Sequence, residues 1–487
     1  MGTIIVFLRH TYIYAISTGL SGVVNFLSII IFTRLLIPSE YGEYSLVIAG
    51  VAVLNSLLFQ WLRVGTNRYI AKYIEEERLK DFLSTIAITY IILVFLCLIC
   101  VIPLYFVFSG EKMLLLIGAA VLCSQAWFEI NLQIQRSKLM PLIYGILSVS
   151  KSLLSLSVAI LLFYFGYRSQ GLLIGLLVGM LVPSLLLYRR EWKGISINNF
   201  DKNLVVKLYR YGAPLTITFV MGTIIFSTDR FFLGWFLGTE YTGVYSVSYD
   251  LAQQTLTILM MVINLSSFPL VVRILEQKGR EAAYQQLNRH ITLILLVSLP
   301  ATAGMIMLTN NLAHVFIGSE YRANAQTIIP MISASVFLQG IKLYYFDLSF
   351  QLGERTKTQI WPVVISCTIN VLFNVILIPK YGINGAVIST LICYVVGLVV
   401  SWNMGRKIFP VPFPRKEFIK ITCCVVVMVL AIIPVNGYRG SLALVVQMLL
   451  AISVYIAMIY LLDVSGIRRE KLYRKSPSEK SDNVDTL

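Results

Sequence analysis

Apolar runs of bilayer length recur along nearly the whole chain, separated by short polar breaks. A helix needs about twenty predominantly apolar residues to cross the hydrocarbon layer, and about fourteen segments meet that length. They lie at approximately 11–34, 43–62, 82–108, 112–135, 141–165, 169–188, 208–238, 242–270, 290–309, 325–351, 356–378, 382–404, 417–435 and 440–462. The pattern predicts an all-α polytopic membrane protein with no stretch left over for a folded soluble module. Residues 463–487 are charged and apolar-poor, so a disordered tail is expected there. The N-terminus lacks a small-residue cleavage site, and the first helix is expected to act as its own insertion signal.

The chain also repeats itself at a spacing of about 200 residues, as transporter halves related by duplication do. Arg34 is followed by Glu40, Tyr41, Gly42, Tyr44 and Ser45; Arg230 is followed by Glu240, Tyr241, Gly243, Tyr245 and Ser246. Phe165, Gly166 and Gly171 similarly match Tyr381, Gly382 and Gly385, with the glycine spacing differing by two. These landmarks predict two six-helix repeats, 1–200 and 201–405, followed by two C-terminal helices in 406–462 and the basic tail 463–487. Because each repeat has an even number of helices, the halves should be related by an axis along the membrane normal.

Charge sets the topology. Only seven of the 40 Lys and Arg residues (Arg34, Lys112, Arg168, Arg230, Arg322, Lys380 and Arg439) fall on one side of the fourteen-helix pattern. Nearly all the others fall on the opposite side, which the positive-inside rule makes cytoplasmic, together with both termini. A net charge of +16 does not imply nucleic acid, because the cations sit in short loops and form no single face. The seven cysteines all lie in apolar runs, where cysteine packs as a small hydrophobe. Cys97 and Cys100 form a CxxC without a second ligand pair. No nucleophile triad, metal spacing or phosphate-cradling glycine loop appears, so neither cofactor nor metal is expected, and transport is favoured over catalysis. A sugar polymerase or glycosyltransferase would need a larger loop than the longest outer connection, about 310–324.

Several short segments resemble the polysaccharide-transport branch of the multidrug/oligosaccharidyl-lipid/polysaccharide exporter superfamily, which includes Wzx-type O-antigen flippases. They are Thr33, Arg34, Leu35 and Leu36 with Glu40, Tyr41 and Gly42; Tyr211, Gly212 and Pro214; Asp229 and Arg230; and Tyr381, Gly382, Gly385 and Ala386. The resemblance covers most of the chain. It implies a flippase of the bacterial cytoplasmic (inner) membrane that carries undecaprenyl-diphosphate-linked oligosaccharide to the outer leaflet for lipopolysaccharide O-antigen or other surface polysaccharide assembly. Implied partners are the lipid-linked sugar, membrane lipid, a polysaccharide polymerase and glycosyltransferases, with protons or sodium as coupling ions. A cation-coupled drug or small-molecule antiporter of the same superfamily is the alternative; it usually has twelve helices and a more acidic groove.

Charges inside the spans mark candidate sites, since each costs about 3 kcal/mol near the bilayer centre. Lys151 lies about ten residues into its span, or about 15 Å deep. Lys342 is enclosed between Gln339 and the aromatic run Tyr344, Tyr345 and Phe346. With Arg34 and Arg230 nearer the outer surface, these cations would form stations for an anionic head group. Gln125 and Gln339, in equivalent helices, would bond a sugar, or alternatively fasten helices to one another. Asp229, Asp250, Glu129 and Asp347 admit either ion coupling or pairing with the cations. Lys342 and Asp347 are five residues apart, about 140° around a regular α-helix, so any ion pair of theirs is expected between helices. Pro183, Pro269, Pro300 and Pro362 are candidate kinks, and Trp61, Trp235, Trp361 and Trp402 are expected in an interfacial belt.

Overall fold

The computed structural model describes residues 2–107 and 110–466, the side chains of 2–11, 188–190 and 465 excepted. The expected tail lies outside them from residue 467 onward. The described residues form helices and turns, with no strand among them. Lipid offers the backbone no hydrogen bonds, and a helix satisfies its own.

The first six helices are α1 (Gly2–Leu35), α2 (Pro38–Glu75), α3 (Leu79–Val107), α4 (Lys112–Ser137), α5 (Pro141–Tyr164) and α6 (Ser169–Glu191). Then come α7 (Lys202–Phe236), α8 (Thr239–Met307), α9 (Thr309–Phe316), α10 (Arg322–Ile341) and α11 (Leu348–Leu352). The last four are α12 (Ile360–Tyr381), α13 (Ile383–Gly405), α14 (Arg415–Ile432) and α15 (Ser441–Leu461). Local chemistry sets several starts. Pro38 and Pro141 open α2 and α5, where a missing N–H costs nothing. Asp201 caps α7 by accepting from the Asn203 and Leu204 amides at 2.8 and 3.3 Å.

Among the described residues, thirteen helical stretches are long and apolar enough to cross a bilayer. One of them, α8, has 69 residues, about 100 Å at 1.5 Å per residue and some three times the hydrocarbon thickness. Gly279, at φ 80° and ψ −174°, breaks it; this conformation is open essentially to glycine alone. The break divides the apolar stretches expected at 242–270 and 290–309, so α8 holds two spans and the described residues fourteen. The charged link expected between them is helical instead of a loop, because its Glu, Lys, Arg, Gln and Ala residues are good helix formers.

Alternate crossings put the breaks at 76–78, 138–140, 192–201, 353–359 and 406–414 at one end, which carries most of the loop cations and is termed the basic end. The opposite, sparse end holds the breaks at 36–37, 165–168, 237–238 and 433–440, together with α9. Helix α2 packs on α7 and on the first arm of α8, α5 on α6, α10 on α8, α12 on α13, and α14 on α15. Trp61 departs from the expected belt: it is buried in a cluster with Leu62, Phe82 and Leu208, and edge-on to Tyr209. Trp235, Trp361 and Trp402 are exposed. Pro183, Pro269 and Pro300 lie inside helices, whereas Pro362 sits in the first turn of α12, where it fits without bending the helix.

Candidate functional site

A cavity of about 310 Å³ opens between α1, α2, α4, α5, α6, α7 and the first arm of α8. Four residues singled out by sequence, Lys151, Arg230, Asp250 and Gln125, line it from four different helices. Asn25, Ser28, Ser155 and Gln254, which sequence reasoning passed over, add amides and hydroxyls. A polar residue every third or fourth position on one face of α1 and α5 was the available signal.

Lys151 has its ammonium 5.5 Å from the centre of the Phe128 ring, a cation–π arrangement. Among the described residues no carboxylate comes within ion-pair distance of it. One turn on, the buried Ser155 hydroxyl has no hydrogen-bond partner. Gly179 of α6 makes this placement possible: a Cβ there would stand 2.1 Å from the Ser155 hydroxyl and 2.7 Å from the Lys151 carbonyl.

Arg230 is buried at 3% exposure and is paired. Its Nη2 donates to Asp250 Oδ1 at 2.6 Å, and its guanidinium lies 4.6 Å from the Phe226 ring. Tyr41 reaches Asp250 Oδ2 across a long 3.4 Å contact. The cavity therefore contains two cations and one carboxylate, a net positive charge owed to Lys151.

Glu129 lies beside the cavity in a fixed network. It accepts from Asn55 and Gln125 at 2.9 Å each and forms an ion pair with Arg63. The Gln125 amide is thus already engaged within its helix. Arg63, one residue past the apolar run expected at 43–62, is held in this network because α2 runs on as a helix to Glu75; sequence reasoning missed it as a partner of Glu129. Asp229 faces away from the cavity, and four donors wrap it: Thr390 at 2.5 Å, Asn374 at 2.6 Å, Asn370 at 3.1 Å, and Tyr245. Asn370 and Asn374, one turn apart on an apolar helix, were the legible and overlooked signal. The Asn374 amide oxygen is buried without a partner.

Lys342 and Asp347 correct the expectation drawn from α-helical geometry. Residues Lys342–Phe346 form a π-helical turn, in which the Asp347 amide donates to the Lys342 carbonyl at 2.9 Å. Five-residue closure places residues i and i+5 on one face. Lys342 Nζ consequently donates to Asp347 Oδ2 at 2.8 Å, within one helical stretch, while Ser401 bonds the other oxygen. Neither residue lines the cavity, nor does the half-buried Gln339. Arg34 is exposed and donates to the Val315 carbonyl at 2.7 Å, which caps the end of α9. Of the four expected cationic stations, two share the cavity and two are fastened elsewhere.

A second cavity, about 620 Å³ and almost wholly apolar, lies between α1, both arms of α8, α9, α14 and α15. The wall between the two cavities consists of alternately directed residues. Asn25, Asp250 and Gln254 face the polar side, while their chain neighbours Phe26, Leu251 and Thr255 face the apolar side.

A family model described as polysaccharide biosynthesis protein matches residues 31–326. A putative O-antigen transporter of Shigella flexneri is 23% identical over 274 residues, 54% of this chain and 63% of that one. The matched part spans about half to just under two thirds of the length of the curated relatives. Among solved structures, the lipid II flippase MurJ in an inward closed conformation superposes with a TM-score of 0.75 at 18% identity, covering 94% of this chain and 99% of that one. An inward-facing multidrug resistance MATE family transporter gives a TM-score of 0.60 at 15% identity, covering 80% of this chain and 94% of that one. At such identities these likenesses establish the fold. With the family model spanning well over half of the chain, this integral membrane protein belongs to the polysaccharide biosynthesis protein family.

Proposed function

We propose that the chain is a flippase carrying an undecaprenyl-diphosphate-linked oligosaccharide across the bacterial inner membrane. The basic end is cytoplasmic, and 1–200 and 201–405 are the two halves that move against each other. The observation that carries the reading is Lys151, a cation within a span that faces a polar cavity and has no carboxylate partner among the described residues. A diphosphate supplies the missing anion, and charge-assisted hydrogen bonds from Lys151 and Arg230 replace part of its hydration. Serine hydroxyls and the Asn25 and Gln254 amides offer the sugar adaptable bonding. The adjoining apolar cavity, walled by α14 and α15, suits a polyprenyl chain, so head and tail of one amphiphile find separate compartments on either side of α1 and α8. Asp229, wrapped by hydroxyls and amides and beside the unpartnered Asn374 oxygen, is the carboxylate best placed to couple transport to a proton or sodium ion. A polymerase and glycosyltransferases would act after and before this step.

The fold shared with a multidrug resistance transporter keeps a cation-coupled drug antiporter as the second reading. Lys151 opposes it, because a cationic drug would meet a net positive cavity.

Depletion of the protein tests the proposal. Lipid-linked sugar should accumulate in the inner leaflet and escape impermeant labelling from outside. Normal outer-leaflet labelling without the protein would overturn it.

A further inference from the structure

The duplicated corner that reveals the repeat in the sequence also meets itself in space. Gly42 and Gly243 approach each other's helices reciprocally at the sparse end. A Cβ on Gly42 would stand 1.8 Å from the Thr239 carbonyl oxygen, and one on Gly243 would stand 1.9 Å from that of Pro38. One turn deeper, the Ser45 and Ser246 hydroxyls bond at 2.6 Å in a buried position. One turn deeper again on α8 lies Asp250, which holds Arg230 with one oxygen and contacts Tyr41 of α2 with the other. The seam between α2 and α8 thus runs directly into the cavity, and Asp250 belongs to both.

We propose that this seam is the outer gate and that Asp250 is its latch, a positioning residue released when an anionic head group takes Arg230. The trigger rests on the diphosphate reading above. Arg230 is the ion-pair partner of Asp250 and also lines the cavity, so an incoming anion competes with Asp250 for one guanidinium. The anion also repels the Asp250 carboxylate. Once displaced, Asp250 no longer holds Tyr41, which is covalently next to Gly42. Close backbone contact without side chains is favourable only at full approach, so the seam has no partly open state that keeps its packing. Binding at the cavity and separation of the seam therefore become one event.

Cysteines replacing Ser45 and Ser246 in a full-length chain whose seven native cysteines are changed to alanine would report the seam through disulfide formation under mild oxidation. With Asp250 intact the pair should cross-link readily. Asp250→Asn keeps the shape but loses the charge, and should lower the yield at least about fivefold, the low end of ordinary coupling. Gly42→Ala, which wedges the seam directly, should lower it as well and serves as the positive control. Inorganic pyrophosphate should lower the yield in the Asp250 chain but not further in Asp250→Asn. An unchanged yield in Asp250→Asn, with Gly42→Ala responding, overturns the latch. Calorimetry of pyrophosphate binding to the same chains separates the two ideas. Pyrophosphate that binds without loosening the seam overturns the trigger and spares the substrate reading; a seam loosened by Asp250→Asn with no pyrophosphate bound spares the latch and overturns the substrate reading together with the trigger that rests on it.

Discussion

Lys151 and Lys342 look alike in the sequence, each a lone cation well inside an apolar span, yet the fold treats them oppositely. Lys342 is closed into an ion pair with Asp347 inside one helical stretch, at 2.8 Å and away from either cavity. Lys151 has only an aromatic face and an open polar cavity. Insertion cost, which the sequence reveals, is the same for both. What separates them is whether the compensating charge is built in or arrives with a ligand.

The sharpest way to break this comparison is to remove each lysine in turn. Lys342→Ala strands a buried carboxylate, for which a loss of about 3–5 kcal/mol is ordinary. Thermal unfolding in detergent should show it, and Lys342→Met combined with Asp347→Leu should recover much of the loss. Lys151→Ala should leave unfolding nearly unchanged, since the ammonium has no partner to strand. Its effect belongs to transport: a charge-assisted bond worth about 1.5–3 kcal/mol corresponds to a drop of about ten- to a hundredfold in outer-leaflet delivery. Lys151→Arg should retain most of it. The smallest effect is expected at Gln125→Ala, which removes one of several bonds to Glu129 and costs about 1 kcal/mol, read as a modest loss of stability.

How much of this was legible follows from the same residues. Span number, the alternation of basic loops and the duplicated corner are properties of hydropathy and local order, and the sequence displays them openly. The helical link through Gly279 escaped because charged residues that form good helices look like a loop between two apolar runs. The Lys342–Asp347 pair escaped for a different reason. A π-turn changes the angular register by one residue, and nothing in Lys-Leu-Tyr-Tyr-Phe-Asp distinguishes it from a regular helix. The Arg63–Glu129 pair escaped because α2 continues as a helix past the apolar run that sets its expected end. Asn370 and Asn374 around Asp229 were visible as an i, i+4 amide pair, but their shared carboxylate lies on another helix and only the fold joins them.

Pyrophosphate binding to the purified wild type, Lys151→Ala and the doubly substituted Lys342→Met, Asp347→Leu tests the central claim most directly, because the last removes the other lysine without stranding its partner. Calorimetry should find binding in the wild type and in the double variant, and none or at least about tenfold weaker binding in Lys151→Ala, one charge-assisted bond being worth about that much. Equal affinity in wild type and Lys151→Ala would contradict the account.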